Sequence, residues 1–523
     1  MRAIAAIVLL LVFAPLTASA QTKPGGKIVL AARQDIDTLD PHITNRAATR
    51  KILIQFTDTL TVINPKDGRV LPGLAESWEV ARDGKSYTFR LRKNVKFHDG
   101  TPFDAAAVKF TLDRTQEPLG APGVARAFLG PYEGADVIDA HTVRVRLKQP
   151  YAPFLRMVGL SPLAPISPTA VKKMGQDFSR RPVATGPFMV KEWVPKSHVT
   201  LVRNPDYAWP PATAAHRGPA HLEEITWRFV PEAITRTAVL QTGEAHIAED
   251  LSYADVAALE RNPDIRILRG VPAGTPWTIF PNVQRFPTSD PAVRRALHHA
   301  INKDAIVRVV FHGQSQGSGS LIQPPTPGFV PVAKELFPYD PVRAKEILDE
   351  AGWKAGADGI RVKDGKRLEI LWIFGTNNGY EEMAPLVQGM AREVGIDVQL
   401  REQPRVQMYE AWRKGEHGIG ELNWWFPDPS ILTTNFHTSR LQAFNPPRLS
   451  DPEVDKLLDQ AAAMIEERPR MELYKKIQRV LLEMGAGIPL VDQVTVVGVR
   501  KEVAGYAFNV VTFPVLYDVS LTR

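Results

Sequence analysis

The chain has 523 residues, of which 44% are hydrophobic and 23% charged, and it contains no cysteine. This length exceeds what one hydrophobic core usually organises, so we expect two or three lobes. The absence of cysteine excludes disulfides, thiolate zinc sites, a cysteine nucleophile and a lipoprotein anchor. The net charge of +7 comes from 64 basic and 57 acidic residues scattered along the chain, which favours an ordinary soluble surface over a nucleic-acid-binding one.

The first twenty residues have the pattern of a cleavable secretion signal. Arg2 precedes an apolar run from Ala3 to Phe13, and Ala18-Ser19-Ala20 has the form of a cleavage site. The run is short for a membrane span. We therefore predict that residues 1–20 are a signal peptide. Because no twin arginine precedes the run, we expect the general secretory route and a periplasmic protein without a lipid anchor.

The segment from Leu71 to Asp104 predicts a β-rich module. An Asp-Gly dipeptide at Asp83 is typical of a hairpin turn. After it, Tyr87, Phe89 and Leu91 alternate with polar residues, which predicts a strand with one buried face.

The second half of the chain predicts helices and a parallel strand pair. Asp290 and Asp340 each precede a proline, the arrangement of an N-cap followed by proline at the first helical position. A strand at Leu368–Phe374, a helix at Glu381–Val394 and a strand at Ile396–Leu400 form a predicted β-α-β unit. Its crossover connection requires the two strands to be parallel.

Several of these segments together carry a family resemblance. The order LAESW, DG, YTFRLRKNVKFHDGTPF begins at Leu74 and is long and idiosyncratic. Further matching segments are TGPF from Thr185, RNPDY from Arg203, DPAVRRALHHAINKDAIV from Asp290 and YDPVRAKEILDEAGW from Tyr339. The chain resembles the extracytoplasmic solute-binding proteins of family 5, the peptide- and nickel-binding class that serves ABC importers, over nearly all of the expected mature chain.

The resemblance implies an α/β fold with two lobes, of the periplasmic-binding-protein type called cluster C, and an extra β-rich subdomain inserted in lobe I. Two crossing strands, near Trp277–Asn282 and Ile488–Val497, would form the hinge. The expected divisions are residues 21–60, 184–280 and 489–523 for lobe I, 61–183 for subdomain II, and 281–488 for lobe III.

The resemblance also implies a function without chemical change. A monomer would close over a peptide-like or other small polar or aromatic solute and deliver it to membrane permease subunits. No enzymatic activity, cofactor, metal or nucleic acid is expected, and the identity of the solute stays open.

The aromatic segment Leu422–Pro429 is the first candidate ligand wall. Trp424 and Trp425 offer flat apolar area and an indole N–H that can orient a polar group, although an ordinary core edge is the alternative. Peptide binders of the resembled family carry an aspartate three positions before a D-P or E-P pair, where this chain has Trp425. A peptide ligand with a free N-terminus is therefore in doubt, because a buried ammonium needs an anionic or strongly polar partner. Asp428 is a candidate substitute, or a cap of the following helix.

Two further ligand contacts are candidates. Trp277 lies in the segment that resembles the first crossing, where family members often place an aromatic contact. An ordinary core tryptophan is the alternative. Arg405 precedes a predicted helix and is a candidate partner for an anionic group, with a surface arginine as the alternative.

Other functions receive weaker support. Gly313–Gly317 fits the G-x-S-x-G motif of serine hydrolases, with Ser315 as nucleophile. That motif needs a strand before it and a helix after it, whereas here a helix is expected before it and prolines follow, so a loop is the better interpretation. A secreted hydrolase and a periplasmic chaperone or signalling subunit remain the alternatives. The 12 histidines show no metal-ligand spacing.

Overall fold

The computed structural model describes residues 25–119, 124–376 and 379–522. The predicted signal peptide therefore lies outside the described residues. No helix in the described ranges has the length and apolar character needed to cross a membrane.

A seven-stranded sheet defines lobe I, and its strands come from distant parts of the chain. The strand Lys27–Ala32 lies inside the sheet and runs parallel to Glu224–Phe229 and to Ile247–Ala248. The outer strands pair antiparallel. In spatial order the strands are Ile265–Gly270, Thr495–Arg500, Ile247–Ala248, Lys27–Ala32, Glu224–Phe229, His198–Arg203 and Phe188–Val194.

A four-stranded antiparallel sheet defines subdomain II. The predicted alternation is confirmed, because Tyr87, Phe89 and Leu91 are all buried in one strand. The Asp104 side chain accepts a hydrogen bond from the Ala107 N–H and so caps the helix that packs on this sheet. In spatial order the strands are Ala75–Val80, Ser86–Leu91, Thr142–Leu147 and Tyr132–Asp139.

A five-stranded sheet defines lobe III. The predicted β-α-β unit is confirmed as Glu369–Gly375, Ala384–Glu393 and Asp397–Gln403, with its strands parallel. The caps at Asp290 and Asp340 are confirmed, since each side chain accepts a backbone N–H of the first helical turn. In spatial order the strands are Asp397–Gln403, Glu369–Gly375, Ile419–Leu422, Trp277–Pro281 and Ile488–Val491.

The chain passes between the two large sheets at two places. It leaves lobe I after Ile265–Gly270 and enters lobe III at Trp277–Pro281. It returns between Ile488–Val491 and Thr495–Arg500. The prediction of one strand from Ile488 to Val497 is therefore wrong in this detail, because a segment that changes sheets cannot keep one hydrogen-bonding ladder. The boundaries proposed after residues 60, 183, 280 and 488 stay a prediction.

Helices cover the sheets, and the short strands form one three-stranded and three two-stranded sheets. The helices are Ala47–Phe56, Ala105–Arg114, Val124–Leu129, Phe154–Met157, Pro168–Met174, Ala233–Thr242, Tyr253–Leu259, Pro291–Ala300, Lys303–Val309, Val332–Leu336, Pro341–Glu350, Ala384–Glu393, Arg405–Lys414, Ile431–Phe436, Pro452–Ala463 and Glu467–Glu483. The short strands are Thr61–Ile63, Val70–Pro72, Lys354–Ala355, Arg361–Lys363, Lys366–Arg367, Val503–Ala504, Ala507–Phe508, Pro514–Val515 and Ser520–Leu521.

Candidate ligand-binding site

A cavity of about 380 Å³ lies where lobe I meets lobe III. Its lobe I side is formed by the helix Ala47–Phe56 and by residues that follow strands of the seven-stranded sheet. Its other side is formed by Trp277, Arg405 and Trp425. The second passage between the sheets contributes Gln493, so the cavity lies beside the chain segments that connect the lobes. Three of the predicted site residues therefore meet in one place.

Backbone pairing with the first passage holds Trp425 in position. The Thr275 N–H donates to the Trp424 carbonyl at 2.9 Å, and the Trp424 N–H donates to Thr275 Oγ1 at 2.8 Å. Gly274 lies opposite Trp425, with φ of +138°. A Cβ at Gly274 would lie 1.9 Å from the Trp424 carbonyl oxygen, so only glycine allows this close approach.

Trp425 presents its ring, and not its N–H group, to the cavity. Its Nε1 atom is buried and has no acceptor among the residues of the described ranges. Phe513 packs edge-to-face against the ring with centroids 5.9 Å apart, and Lys51 Nζ lies 5.9 Å from the ring centroid. The indole N–H predicted to orient a ligand therefore faces away, and the wall that remains is an aromatic face.

Trp277 forms a second aromatic wall at the start of its strand. Tyr380 packs edge-to-face against it at 5.1 Å, and Phe311 lies 6.3 Å away. A Cβ at Gly379 would approach the Trp277 ring to 2.6 Å, so the ring fits closely against this loop. Trp277 thus packs into lobe III on one side and lines the cavity on the other.

A buried ion pair stands in the lobe I wall of the cavity. Lys51 Nζ lies 3.0 Å from Glu249 Oε2 and 4.0 Å from Asp250 Oδ2. Burial alone lowers the pKa of Lys51, but the Asp250 and Glu249 carboxylates raise it by more, so Lys51 is charged. Glu249 is fully buried, whereas the Asp250 side chain is 41% exposed and its backbone has the unusual φ of +50° for a non-glycine residue. Asp250 is therefore the carboxylate that a solute can reach.

Two arginines at the cavity have no carboxylate partner in the described part of the chain. Arg33 and Arg405 are both exposed and both line the cavity. Arg405 begins the helix Arg405–Lys414, and its guanidinium lies 3.3 Å from the Tyr409 hydroxyl. With Lys51, the lining holds three cationic side chains against two carboxylates. The cavity therefore favours a solute with net negative charge.

Trp424 and Asp428 are not among the residues that line the cavity. Trp424 packs edge-to-face against Phe444 at 5.4 Å. The Asp428 carboxylate is fully buried and accepts hydrogen bonds of 2.9 and 2.6 Å from the Arg470 guanidinium. It also accepts the Ser430 N–H at 2.9 Å, next to the helix Ile431–Phe436. Asp428 is thus engaged inside the protein by Arg470, and the N-cap residue of that helix is Ser430 and not Asp428.

Sequence reasoning missed the charged residues of lobe I. Lys51 and Glu249 are 198 positions apart, so no local motif joins them. One signal was present: a lysine directly before the apolar residues Ile52 and Leu53 in a helix whose apolar face is buried. The residues next to Asp250 in the sequence do not predict its exposure at the cavity, because its left-handed backbone conformation is set by the surrounding fold.

The hydrolase motif does not form a nucleophile elbow. Ser315 Oγ donates a hydrogen bond of 2.6 Å to the Asp492 carbonyl, and Gly313–Gly317 has a helix before it and no helix directly after it. The described ranges also contain no group of three or more His, Cys, Asp or Glu side chains suited to a metal ion.

A two-lobed α/β fold with an aromatic and charged cavity at the lobe junction is that of a solute-binding protein. Residues 69–442 match the model of bacterial extracellular solute-binding proteins, family 5. The chain belongs to this family.

Curated proteins and solved structures agree with this assignment. Glutathione-binding protein GsiB of Escherichia coli strain K12 is 32% identical over 493 residues, covering 92% of this chain and 91% of GsiB. NikA from Brucella suis, in complex with Fe(III)-EDTA, has a TM-score of 0.83 and 28% identity over 95% of this chain and 100% of NikA.

A third relative connects the chain to ABC transport. The ABC transporter-associated periplasmic binding protein DppA from Helicobacter pylori, in complex with peptide STSA, has a TM-score of 0.79 and 25% identity over 96% of this chain and 99% of DppA. The predicted family and fold class are confirmed, and so is the predicted function at the level of class, a solute-binding protein of an ABC importer. The relatives named here are binding proteins.

Proposed function

We propose that this chain captures a small acidic solute of peptide or peptide-like class and passes it unchanged to the permease subunits of an ABC importer. The observation that carries the proposal is the charge of the cavity. Arg33 and Arg405 have no carboxylate partner in the described ranges, whereas Lys51 neutralises one of the two acidic groups. An anionic solute would supply the missing partners.

The size of the cavity supports a small solute. Its volume of about 380 Å³ lies near the lower end of the range of about 300–1,000 Å³ that is usual for ligand pockets. A dipeptide or tripeptide suits that space better than a longer chain. Glutathione, which the GsiB relatives are named for binding, is a tripeptide with two carboxylates and one ammonium and belongs to the proposed class.

Each proposed contact matches one chemical feature of such a solute. Trp425 and Trp277 would hold its apolar atoms between two aromatic faces. Arg405 and Arg33 would attract the anionic solute, and one of them would bind a carboxylate. Asp250 would hold the ammonium and so replace the aspartate that position 425 lacks. Trp424 and Asp428 have supporting roles in this proposal.

The site of action follows from the family and the predicted leader. Members of an extracellular binding-protein family meet their solute outside the cytoplasm. We propose that the mature chain begins near Gln21, acts in the periplasm as a monomer, and catalyses no reaction.

Isothermal titration calorimetry on the purified mature chain tests the function. Two ligands are compared: an acidic tripeptide, such as glutathione, and its diamide, in which both carboxylates are replaced by amides. We expect the acidic ligand to bind and the diamide to bind far more weakly, with compaction by X-ray scattering on binding. Equal binding of both ligands, or binding of neither while a neutral sugar binds, would refute the acidic-solute proposal.

A further inference from the structure

Arg50 is a charged residue without a charged partner. It lies in the helix Ala47–Phe56, one turn after Ala47, which lines the cavity, and directly before Lys51. The residue is half-buried and its Nε atom is inaccessible. None of its guanidinium nitrogens donates a hydrogen bond or forms an ion pair within the described part of the chain. Burial lowers the pKa of Arg50 to about 10.

The fully buried arginines of the described ranges, unlike the half-buried Arg50, are satisfied. Arg114 binds the Asp40 carboxylate, and Arg470 binds Asp428. Arg236 donates to several backbone carbonyls. Burial of an unpaired guanidinium is unfavourable, and proteins retain such a group where something else compensates. Arg50 is therefore an exception that needs an explanation outside its own surroundings.

The surroundings of Arg50 lead to the cavity. Its guanidinium carbon lies 5.6 Å from the centroid of Phe513. Phe513 packs edge-to-face against Trp425, the aromatic wall of the cavity, and Ala47 belongs to the same apolar cluster. Arg50 is not itself among the residues that line the cavity, but it stands beside them on the side of Trp425. A ring face below a guanidinium leaves its in-plane N–H donors free for another group.

We propose that Arg50 forms an anion-binding subsite of the solute cavity. Its guanidinium would bind a carboxylate of the solute through bidentate hydrogen bonds, the geometry that guanidinium groups favour. The inference rests on the proposed function and makes it more specific. The solute would carry an anionic group on the Trp425 side of the cavity, separate from the ammonium that Asp250 would hold.

The test combines the variants Arg50→Gln and Arg50→Lys with two ligands that differ in one charge, glutathione and glutathione amidated at its C-terminal carboxylate. For the wild type we expect the acid to bind about 10- to 100-fold more tightly than the amide, as for loss of a charge-assisted pair. Arg50→Gln should remove that preference while changing affinity for the amide little. Arg50→Lys should retain part of it. An equal loss for both ligands, or an unchanged preference in Arg50→Gln, overturns the proposal.

The melting temperature without ligand distinguishes a ligand-binding arginine from one that stabilises the fold. Because Arg50 is half-buried, with an inaccessible Nε and no carboxylate partner in the described ranges, Arg50→Gln should melt at the same temperature as the wild type or higher. A lower melting temperature would show that Arg50 stabilises the fold, and would contradict the proposed subsite.

A dicarboxylate separates this inference from the proposed function. Glutarate at constant ionic strength should raise the melting temperature of the wild type more than that of Arg50→Gln. If no peptide binds but this difference is present, the peptide proposal fails and the subsite stands. If glutarate affects both proteins equally, the subsite is refuted even where glutathione binds.

Discussion

Replacing Asp428 by asparagine tests whether this residue stabilises the fold through a buried ion pair or contacts the ligand, as the sequence had suggested. Arg470 donates two hydrogen bonds to its carboxylate, of 2.9 and 2.6 Å, and Arg156 Nε lies 3.4 Å from it. The three side chains are at most 5% exposed. Arg156 belongs to the helix Phe154–Met157 and Arg470 to the helix Glu467–Glu483, so one carboxylate joins two helices that are far apart in the chain.

The expected loss follows from what asparagine leaves behind. The amide keeps the shape and one acceptor oxygen but removes the negative charge, so the buried Arg470 guanidinium loses its counter-ion, whereas Arg156 keeps its ion pair with Glu467. Removing one partner of a buried ion pair costs about 3–5 kcal/mol, and we expect Asp428→Asn to reduce the free energy of unfolding by that amount. The matched control is Glu335→Gln, whose pair with Arg479 has side chains 65% and 41% exposed and should contribute less than about 1 kcal/mol.

The same network predicts a pH dependence with a definite sign. Burial raises the pKa of Asp428, but Arg470 and Arg156 lower it further, to below the ordinary value of 3.8. A carboxylate whose folded pKa is depressed stabilises the protein above its unfolded pKa, and the contribution disappears as the pH falls through the folded pKa. The difference between wild type and Asp428→Asn should therefore be constant from about pH 5 to 8 and shrink below about pH 4.

Urea denaturation followed by circular dichroism measures the stability, and calorimetry on the folded variant measures solute affinity. We expect a large loss of stability and an affinity close to that of the wild type. A variant as stable as the Glu335→Gln control would refute the ion-pair argument. A stable variant that no longer binds solute would instead place Asp428 in the ligand site.

Three further changes test the cavity. Trp425→Ala should weaken solute binding by about 1–3 kcal/mol in calorimetry, the range for a central aromatic anchor. Trp424→Ala should change affinity much less, because the Trp424 ring is outside the lining and packs against Phe444. Asp250→Asn should weaken a solute with a free ammonium but not its N-acetylated analogue, and equal effects on both would exclude Asp250 as the ammonium partner. Gly274→Ala should lower both the melting temperature and solute affinity, because the added Cβ would overlap the Trp424 carbonyl at 1.9 Å.

The sequence by itself determined the local elements and the family. Caps such as Asp290, the alternation around Phe89 and the β-α-β unit are encoded by residues a few positions apart, and the structure follows them. The aromatic walls Trp277 and Trp425 were also predictable from local sequence. Large aromatic residues close to a passage between the two sheets indicate a cavity or a core edge. Their arrangement around one cavity is a property of the fold.

Only the tertiary structure decided where the charges act. Asp428 has the same local sequence whether it binds a solute, caps a helix or pairs with Arg470, and the packing of a helix 42 positions away made the choice. Lys51, in the helix Ala47–Phe56, and Glu249, directly after the strand Ile247–Ala248, are 198 positions apart and form a pair only because the fold brings the helix and the strand end together. The strength of an ion pair depends on burial and on the partners within a few ångströms, and neither is encoded in neighbouring residues.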